Sequence, residues 1–466
     1  MDQRNTKILG ELMKKSGNSQ CADCGSKDVE YASYNIGILL CSRCAQIHLN
    51  MGSHVSKPKH LKLDHWEDSQ VERLKQVGNL VAKGKYEARV PVGFRRPAGF
   101  SQVPCPTSTD PPLLLEHWIV SKYVREEFIC STGNNNDQQD VSSPLRPYLL
   151  GNMDSFLMKK GREDVRFFPR RFVLDPTTLR YYVKEKSNPK AVIKLVELDV
   201  SLSPQKLKHP YSLQLSYLNH GSTRHLYVYH DDPELVCQWY HAIRISKLNA
   251  LKHACSSGKA PVYVQESTLV SMLPHDSGFE GYLWKAGPSP SYAHRRRWFT
   301  LNNRKLMYHI EALDAYPKGE IFLGSNEPVD QGKIESQISV ASKVFDVEIK
   351  ASNVCSSITG YKVTVGGFGD DKMDPQRWVF SLHTPYRTFI LAAETQLERD
   401  KWVSVLDFTL RHEINPRDIA TCSQLVRKRN GSVISNPLSG LLSSSSSSSP
   451  ITSAVNTTTN SSTSIR

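Results

Sequence analysis

The sequence predicts a multidomain α+β chain, and three observations predict it. Four cysteines near the N-terminus stand as C-x2-C-x16-C-x2-C, at Cys21, Cys24, Cys41 and Cys44. Two later segments repeat one another, each with short alternating strands first and a Trp-bearing helix last. The chain then turns to Ser, Thr and Asn, with seven serines at 443–449.

At 466 residues the chain has room for roughly three domains. No stretch approaches the roughly 18 apolar residues of a spanning helix. The opening MDQRNTKILGELMKKSG lacks the apolar core of a secretory leader. A cytoplasmic or nuclear protein is therefore expected, rather than a membrane-spanning or secreted one. The net charge of +13 favours an acidic partner. Its distribution is uneven: +6 over residues 1–100, +6 over 152–250, and +1 over 279–411. The other six cysteines are scattered, and in this setting they read as ordinary thiols rather than a disulfide framework.

The first segment is expected over residues 6–130. It opens on an amphipathic helical pattern (Ile8, Leu9, Leu12, Met13), continues through the cysteines, and returns to helical periodicity at Val71–Leu74. After the Pro-rich VPCPTSTDPP, a helix is expected over 113–129. Residues 131–150 have linker composition. The repeated modules follow at 151–250 and 278–412, with a linker at 251–277. Lys159 and Lys285 are 126 apart, as are Arg171 and Arg297; Tyr181 and Tyr308 are 127 apart, and Lys190 and Lys318 are 128 apart. This drifting offset with matched chemistry predicts a duplicated domain. From 423 to 466 the composition cannot build a core, and that stretch is expected to be disordered.

Each C-x2-C pair can bend around one metal, so the cluster predicts a single structural Zn²⁺ held by four thiolates. Such a site is closed and has no position for water or substrate. Its binding energy goes into folding. A zinc-ribbon nucleic-acid binder is the rival reading. It needs a basic recognition helix or a stacking strip, and neither stands beside the knuckles, so no nucleic-acid partner is expected.

The run CADCGSKDVEYASYNIGILLCSRCAQIHLNMGSHVSKPKHLKLDHW resembles the zinc finger of the Arf GTPase-activating family. It does so through both knuckles, Ala32-Ser33, Gly37, His48, Gly52, His54, Ser56, Leu63, Asp64 and Trp66. The domain order resembles the centaurin-alpha branch of that family, the Arf GAPs with dual PH domains. The resemblance implies an α/β Arf GAP-like domain, then two PH-type seven-stranded β-barrels, each capped by a C-terminal helix. It also implies an Arf-family small GTPase as partner.

Three residues depart from the pattern: Tyr31, where the family usually has Trp, and Pro58, where an aliphatic is common, are the smaller departures, and the third bears on catalysis. The family carries an arginine finger directly after the histidine matched by His48, and here that position holds Leu49. Leucine has neither charge nor hydrogen-bond donor, so it cannot neutralise a transferring phosphoryl group. Three readings stay open: a scaffold without catalysis, substitution by Arg43, Lys57 or Lys59, or a variant one base change from arginine. Leu49 itself is expected to pack as an ordinary apolar residue of its helix.

In the second module, Arg295 and Arg297 lie two apart on a strand and share a face. Lys285, from the preceding strand, can join them, and three converging cations suit a multiply phosphorylated headgroup. This resembles the PH-domain phosphoinositide signature, with Tyr308 and Lys318 where further phosphate contacts are made. The first module offers Lys159, Arg171 and Lys190, with Lys160, Arg162 and Arg166 in the intervening loop. The expected function is a phosphoinositide-recruited regulator of Arf-family GTPases, drawn from the cytoplasm to plasma-membrane lipids such as PtdIns(3,4,5)P3 or PtdIns(4,5)P2. The alternative is a non-catalytic lipid-binding adaptor on a structural zinc domain.

Overall fold

The N-terminal domain is organised by a small antiparallel sheet in the order β2–β1–β3 (β1 Tyr31–Ser33, β2 Ile38–Leu40, β3 Pro58–His60). The structure is a computed structural model. It describes residues 3–97, 111–130, 145–274 and 279–434, except 163, 185–186, 258–260, 288–293 and 367–376. Around the sheet stand α1 (Gln3–Lys14), α2 (Ser42–Asn50), α3 (Asp68–Gln76), α4 (Gly78–Tyr86) and α5 (Pro112–Tyr123). The apolar face foreseen for α1 is the buried one: Leu9 and Leu12 pack with Trp66 and with Val71 and Leu74 of α3. α5 stops six residues short of the expected end. The Val124 and Arg125 amides both bond back to the Val120 carbonyl, and Glu126 takes a left-handed φ of 50°, which turns the chain out of the helix.

The first module is a seven-stranded antiparallel sheet: β4 Met153–Lys160, β5 Phe167–Leu174, β6 Thr178–Tyr182, β7 Ala191–Lys194, β8 Asp199–Leu202, β9 Ser212–Asn219 and β10 Ser222–Tyr229. The strand order is β7–β6–β5–β4–β10–β9–β8. A short helix α6 (Pro204–Leu207) bridges β8 and β9, and α7 (Pro233–Ser256) follows the sheet. Asp232 caps α7 by accepting from the Glu234 amide, and Pro233 takes the first turn, where its missing N–H costs nothing. Trp239 on α7 is buried and donates its indole N–H to Ser155 Oγ at 2.8 Å.

After α8 (Glu266–Ser271) the second module repeats this plan. Its strands are β11 Phe279–Lys285, β12 Arg295–Asn302, β13 Lys305–His309, β14 Gly319–Phe322, β15 Lys362–Val365, β16 Trp378–His383 and β17 Thr388–Ala393, in the order β14–β13–β12–β11–β17–β16–β15. The two strand orders are the same, which is the duplication in structural form. Two helices, α9 (Gln331–Phe345) and α10 (Ala351–Cys355), are inserted between β14 and β15. α11 (Gln396–Arg411) covers this sheet with Trp402, and α12 (Pro416–Ile434) follows.

Two expectations about connecting chain are corrected here. Residues 251–277 are not a bare linker, because α7 runs to Ser256 and α8 packs Leu269 and Met272 against Val340 and Val344 of α9. Nor does structure stop at 423, since α12 continues to Ile434 with Cys422 and Leu425 buried. Residues 435–466 lie outside those described. Residues up to Val426 form one compact unit, and α12's last turns belong to the unit that follows.

The N-terminal domain and the first module share one core. Phe94 stacks on His241 of α7 with ring centroids 3.7 Å apart and planes 5° from parallel. Gly93 permits the approach: a Cβ there would lie 2.8 Å from the Ile245 Cα. Among the described residues no helix is long and apolar enough to cross a membrane.

Candidate functional site

Cys21 and Cys24 lie on the loop before β1, while Cys41 is the N-cap of α2 and Cys44 lies in its first turn. The Cys41 thiol accepts from the Cys44 amide. All four sulfurs are buried and lie within 4.8 Å of one another, with Cys24 Sγ and Cys41 Sγ at 3.5 Å. A tetrahedron of thiolates at about 2.3 Å from a central ion has edges of about 3.8 Å, so the donor set fits a metal. The sulfurs' hydrogen bonds to one another push the Cys41 and Cys24 thiols down and those of Cys21 and Cys44 up. A divalent cation between them removes that conflict by favouring all four thiolates.

Behind the knuckles lies a buried polar network that spacing alone does not reveal. Asp23, inside the first knuckle, meets His48 Nε2 at 3.0 Å, Lys122 Nζ at 3.0 Å and Tyr123 Oη at 3.0 Å. Lys122 also bonds Glu87 at 3.0 Å. Burial opposes the Asp23 charge, but Lys122 and His48 outweigh it and hold the carboxyl well below the usual range. The other His48 nitrogen meets Ser56 Oγ at 2.7 Å, and Ser56 meets Ser33 at 2.8 Å. His48 is thereby locked on the inner face of α2.

The next residue is then turned outward. Leu49 is 53% exposed, so the expected packing role is corrected: it sits on the surface beside an immobilised histidine. Arg43 lies six residues earlier on the same helix, about 9 Å along the axis and on a different face. Lys59 is committed elsewhere, donating to the His65 carbonyl at 3.0 Å and to Gln70 at 3.0 Å beside the Tyr34 ring. Lys57 is exposed, and its backbone N–H is bonded to Asn35.

In the second module the strand register places Lys285 opposite Arg295 and Leu283 opposite Arg297. Lys285 reaches the Ala286 carbonyl at 2.9 Å and lies 5.3 Å from the Tyr308 ring. Burial, with Arg387 and Arg297 near by, lowers its ammonium to about 8. Arg296 faces away, pairing with Glu394 at 3.1 Å and lying over Tyr282. Lys318 is exposed, and its amide bonds the Tyr308 carbonyl at 2.8 Å. The structure therefore brings Lys285, Arg295, Arg297, Tyr308 and Lys318 to one end of the sheet, and adds Arg387.

The first module has the same arrangement, with one correction. Lys159 is opposite Phe168, and Leu157 is opposite Arg170. The counterpart of Arg297 is thus Arg170, and Phe168 stands where Arg295 would be. Arg171 is in register with exposed Phe156 on the outer face, where Asp154 holds its guanidinium through bonds of 2.8 and 2.6 Å. The loop between β4 and β5 differs in length by one residue between the modules, which moves the arginine match by one and reverses its face. The signal was present in the aromatics: Phe172 to Phe299 is already 127 apart, as for the tyrosines.

Lys159 bonds the Lys160 carbonyl at 2.9 Å and lies 5.3 Å from the Tyr181 ring. Burial, with Arg224, Arg170 and Lys160 near by, lowers it to about 8. Arg170 and Arg297 each bend back to the preceding carbonyl, at 2.7 and 2.8 Å. Arg166 is exposed and paired with Asp164 at 2.6 Å. Arg162 is exposed and lies near the Tyr316 ring of the second module. Lys190 is exposed, with its amide on the Tyr181 carbonyl at 2.8 Å.

Arg224 and Arg387, which sequence reading missed, come from β10 and the turn before β17. Each lies far along the chain from its lysine and is brought back by the β4–β10 and β11–β17 pairings. Only a fold-level alignment could have found them.

These features define a class: a buried four-cysteine domain in front of two PH-type modules with basic pockets. Family comparison agrees, with the ArfGap model matching residues 6–132 and the PH domain model matching 151–247 and 278–411. The chain is 33% identical over 430 residues to the rat (Rattus norvegicus) Arf-GAP with dual PH domain-containing protein 2, covering 90% of this chain and 98% of that one. It is 32% identical over 428 residues to the human (Homo sapiens) protein of the same name, covering 90% and 97%. Over 97 residues it is 41% identical to mouse (Mus musculus) stromal membrane-associated protein 1, covering 21% of this chain and 22% of that one. The chain belongs to the family of Arf-GAPs with dual PH domains.

Proposed function

We propose that this protein is a phosphoinositide-recruited regulator of Arf-family small GTPases whose catalytic contribution is reduced or absent. The observation that carries the reading is Leu49. The surrounding scaffold is intact, from the knuckles to the locked His48, yet the outward-facing position holds a side chain with no charge. The ion in the cysteine cluster is Zn²⁺, the borderline-soft metal that suits four thiolates. It acts structurally, and in it the folding of the N-terminal domain is linked to metal binding. Lys159, Arg170 and Arg224, and likewise Lys285, Arg295, Arg297 and Arg387, bind the phosphates of a headgroup such as that of PtdIns(3,4,5)P3 or PtdIns(4,5)P2. Lys190 and Lys318 add exposed charge at the rims. The protein works from the cytoplasm at the plasma membrane.

An arginine finger contributes about 10³–10⁵ in rate. In a single-turnover assay on vesicle-bound Arf loaded with GTP, Leu49→Arg should accelerate hydrolysis by a factor approaching that range. The unsubstituted chain should still compete with an active Arf GAP for the GTPase. Equal rates for the two proteins would sink the catalytic-loss reading. Failure to compete would leave the adaptor reading, in which the domain is a scaffold only.

A further inference from the structure

The two basic pockets can be compared residue by residue. Val228 and Leu391 hold the same register position, each opposite the pocket lysine. Four residues back lie Arg224 and Arg387, and two back lie Leu226 and Phe389. In the second module the arginine rests on its own strand's aromatic, with the Arg387 guanidinium 3.9 Å from the Phe389 ring centre. The first module has leucine at that place and cannot do the same.

A ring is nevertheless present there, and it comes from the other module. Tyr316, between β13 and β14, lies 5.9 Å from the Arg224 guanidinium and 5.8 Å from that of Arg162. Asn219 of β9 donates to its hydroxyl at 2.9 Å. The segment carrying it is clamped along β10. The His225 amide donates to the Ala315 carbonyl at 2.8 Å, and the Tyr227 hydroxyl donates to the Asp314 carbonyl at 3.0 Å. Pro317 follows and narrows the backbone freedom of Tyr316. Lys318, one residue further, rims the second pocket, so one short segment borders both.

We propose that Tyr316 completes the first module's pocket as a positioning residue supplied by the second module, holding Arg224 and Arg162 toward a bound inositol polyphosphate. The proposal rests on the headgroup reading above. Tyr316 does for Arg224 what Phe389 does for Arg387: it orients a guanidinium through its π-face without consuming the donors that a phosphate needs. The first pocket is thus complete only when the second module is docked.

The test uses the full chain with one pocket disabled at a time. Lys285→Ala with Arg297→Ala leaves the first pocket to report; Lys159→Ala with Arg170→Ala leaves the second. Calorimetric titration with soluble inositol tetrakisphosphate should show Tyr316→Ala weakening the first pocket by roughly three- to tenfold. Tyr316→Phe, which keeps the ring, should retain most of the affinity, and the second pocket should be unaffected by either change. Sedimentation with phosphatidylcholine vesicles, with and without PtdIns(4,5)P2, separates a lipid headgroup from a free inositol phosphate as the ligand, and a matching loss on either supports the shared pocket. Unchanged affinity of the first pocket in Tyr316→Ala, or equal losses in both pockets, overturns the proposal while the headgroup reading stands. If neither background binds either probe, both fall together.

Discussion

Lys159, Arg170 and Arg224 occupy the same strand positions as Lys285, Arg297 and Arg387, yet their surroundings have diverged. The first pocket has Phe168 where the second has Arg295. It also has Leu226 where the second has Phe389, and it borrows a ring from its neighbour. The second pocket draws its ring from its own module and has one more cation on its strands, Arg295, while the first relies on Arg162 from the loop before β5. The net charges of the two segments point the other way, with +6 over 152–250 and +1 over 279–411. Total charge therefore does not rank the pockets, because Arg166 and Arg171 are spent on Asp164 and Asp154. Local convergence is the better guide.

The largest effect should come from breaking the shared set of three. With the second pocket disabled by Lys285→Ala and Arg297→Ala, Arg170→Ala should lower affinity for inositol tetrakisphosphate by about 10- to 100-fold, the scale of a lost charged hydrogen bond. Arg171→Ala, one residue away, should leave it unchanged. A reversed ranking would mean that the register argument is wrong.

A smaller effect should appear with pH, and it should be common to both pockets. Lys159 and Lys285 sit at about 8 in the free protein, and a bound phosphate raises both by favouring the charged form. Binding then takes up protons above pH 8, so affinity should fall as pH rises through 8, by up to about tenfold per unit for each lysine. Below about pH 7 these lysines should contribute no pH dependence. Titrating each single-pocket background from pH 6.5 to 9.5 checks both the sign and the onset.

The smallest effect is a gain. Phe168→Arg places a cation opposite Lys159, as Arg295 stands opposite Lys285, and should raise the first pocket's affinity by a few-fold, on the order of 1 kcal/mol. The new arginine also presses on an already lowered lysine, which limits the gain. No gain in calorimetry would show that the pockets differ in more than this residue.

Much of this was legible in the sequence because it is local. The knuckle spacing, the apolar face of α1 and the strand-then-helix repeat with Trp239 and Trp402 all depend on neighbours a few residues apart. What escaped was what the fold assembles from a distance. Asp23 meets Lys122 and Tyr123 across about a hundred positions, and Arg224 and Arg387 return through the last strand of each sheet. The face of Arg171 failed for a different reason. Alternation has a period of two, so a one-residue difference in the loop before β5 inverts every inference made across it. The inserted α9 and α10 were not foreseen, and the helical start of the tail was hidden by the Ser/Thr/Asn-rich stretch that follows it.

The helix α7 has 24 residues, about 36 Å of rod. Its first half is sealed to the N-terminal domain through Phe94 and His241, and its second half to α8 and α9 of the second module. A cut at residue 130 or 250 therefore does not separate independent pieces. Cutting at both would strip Phe94, Trp118 and Leu251 of their cover and leave three sticky fragments. Dissection of this protein is better done by point changes in the intact chain, because its domains were joined by cores rather than strung on a cord.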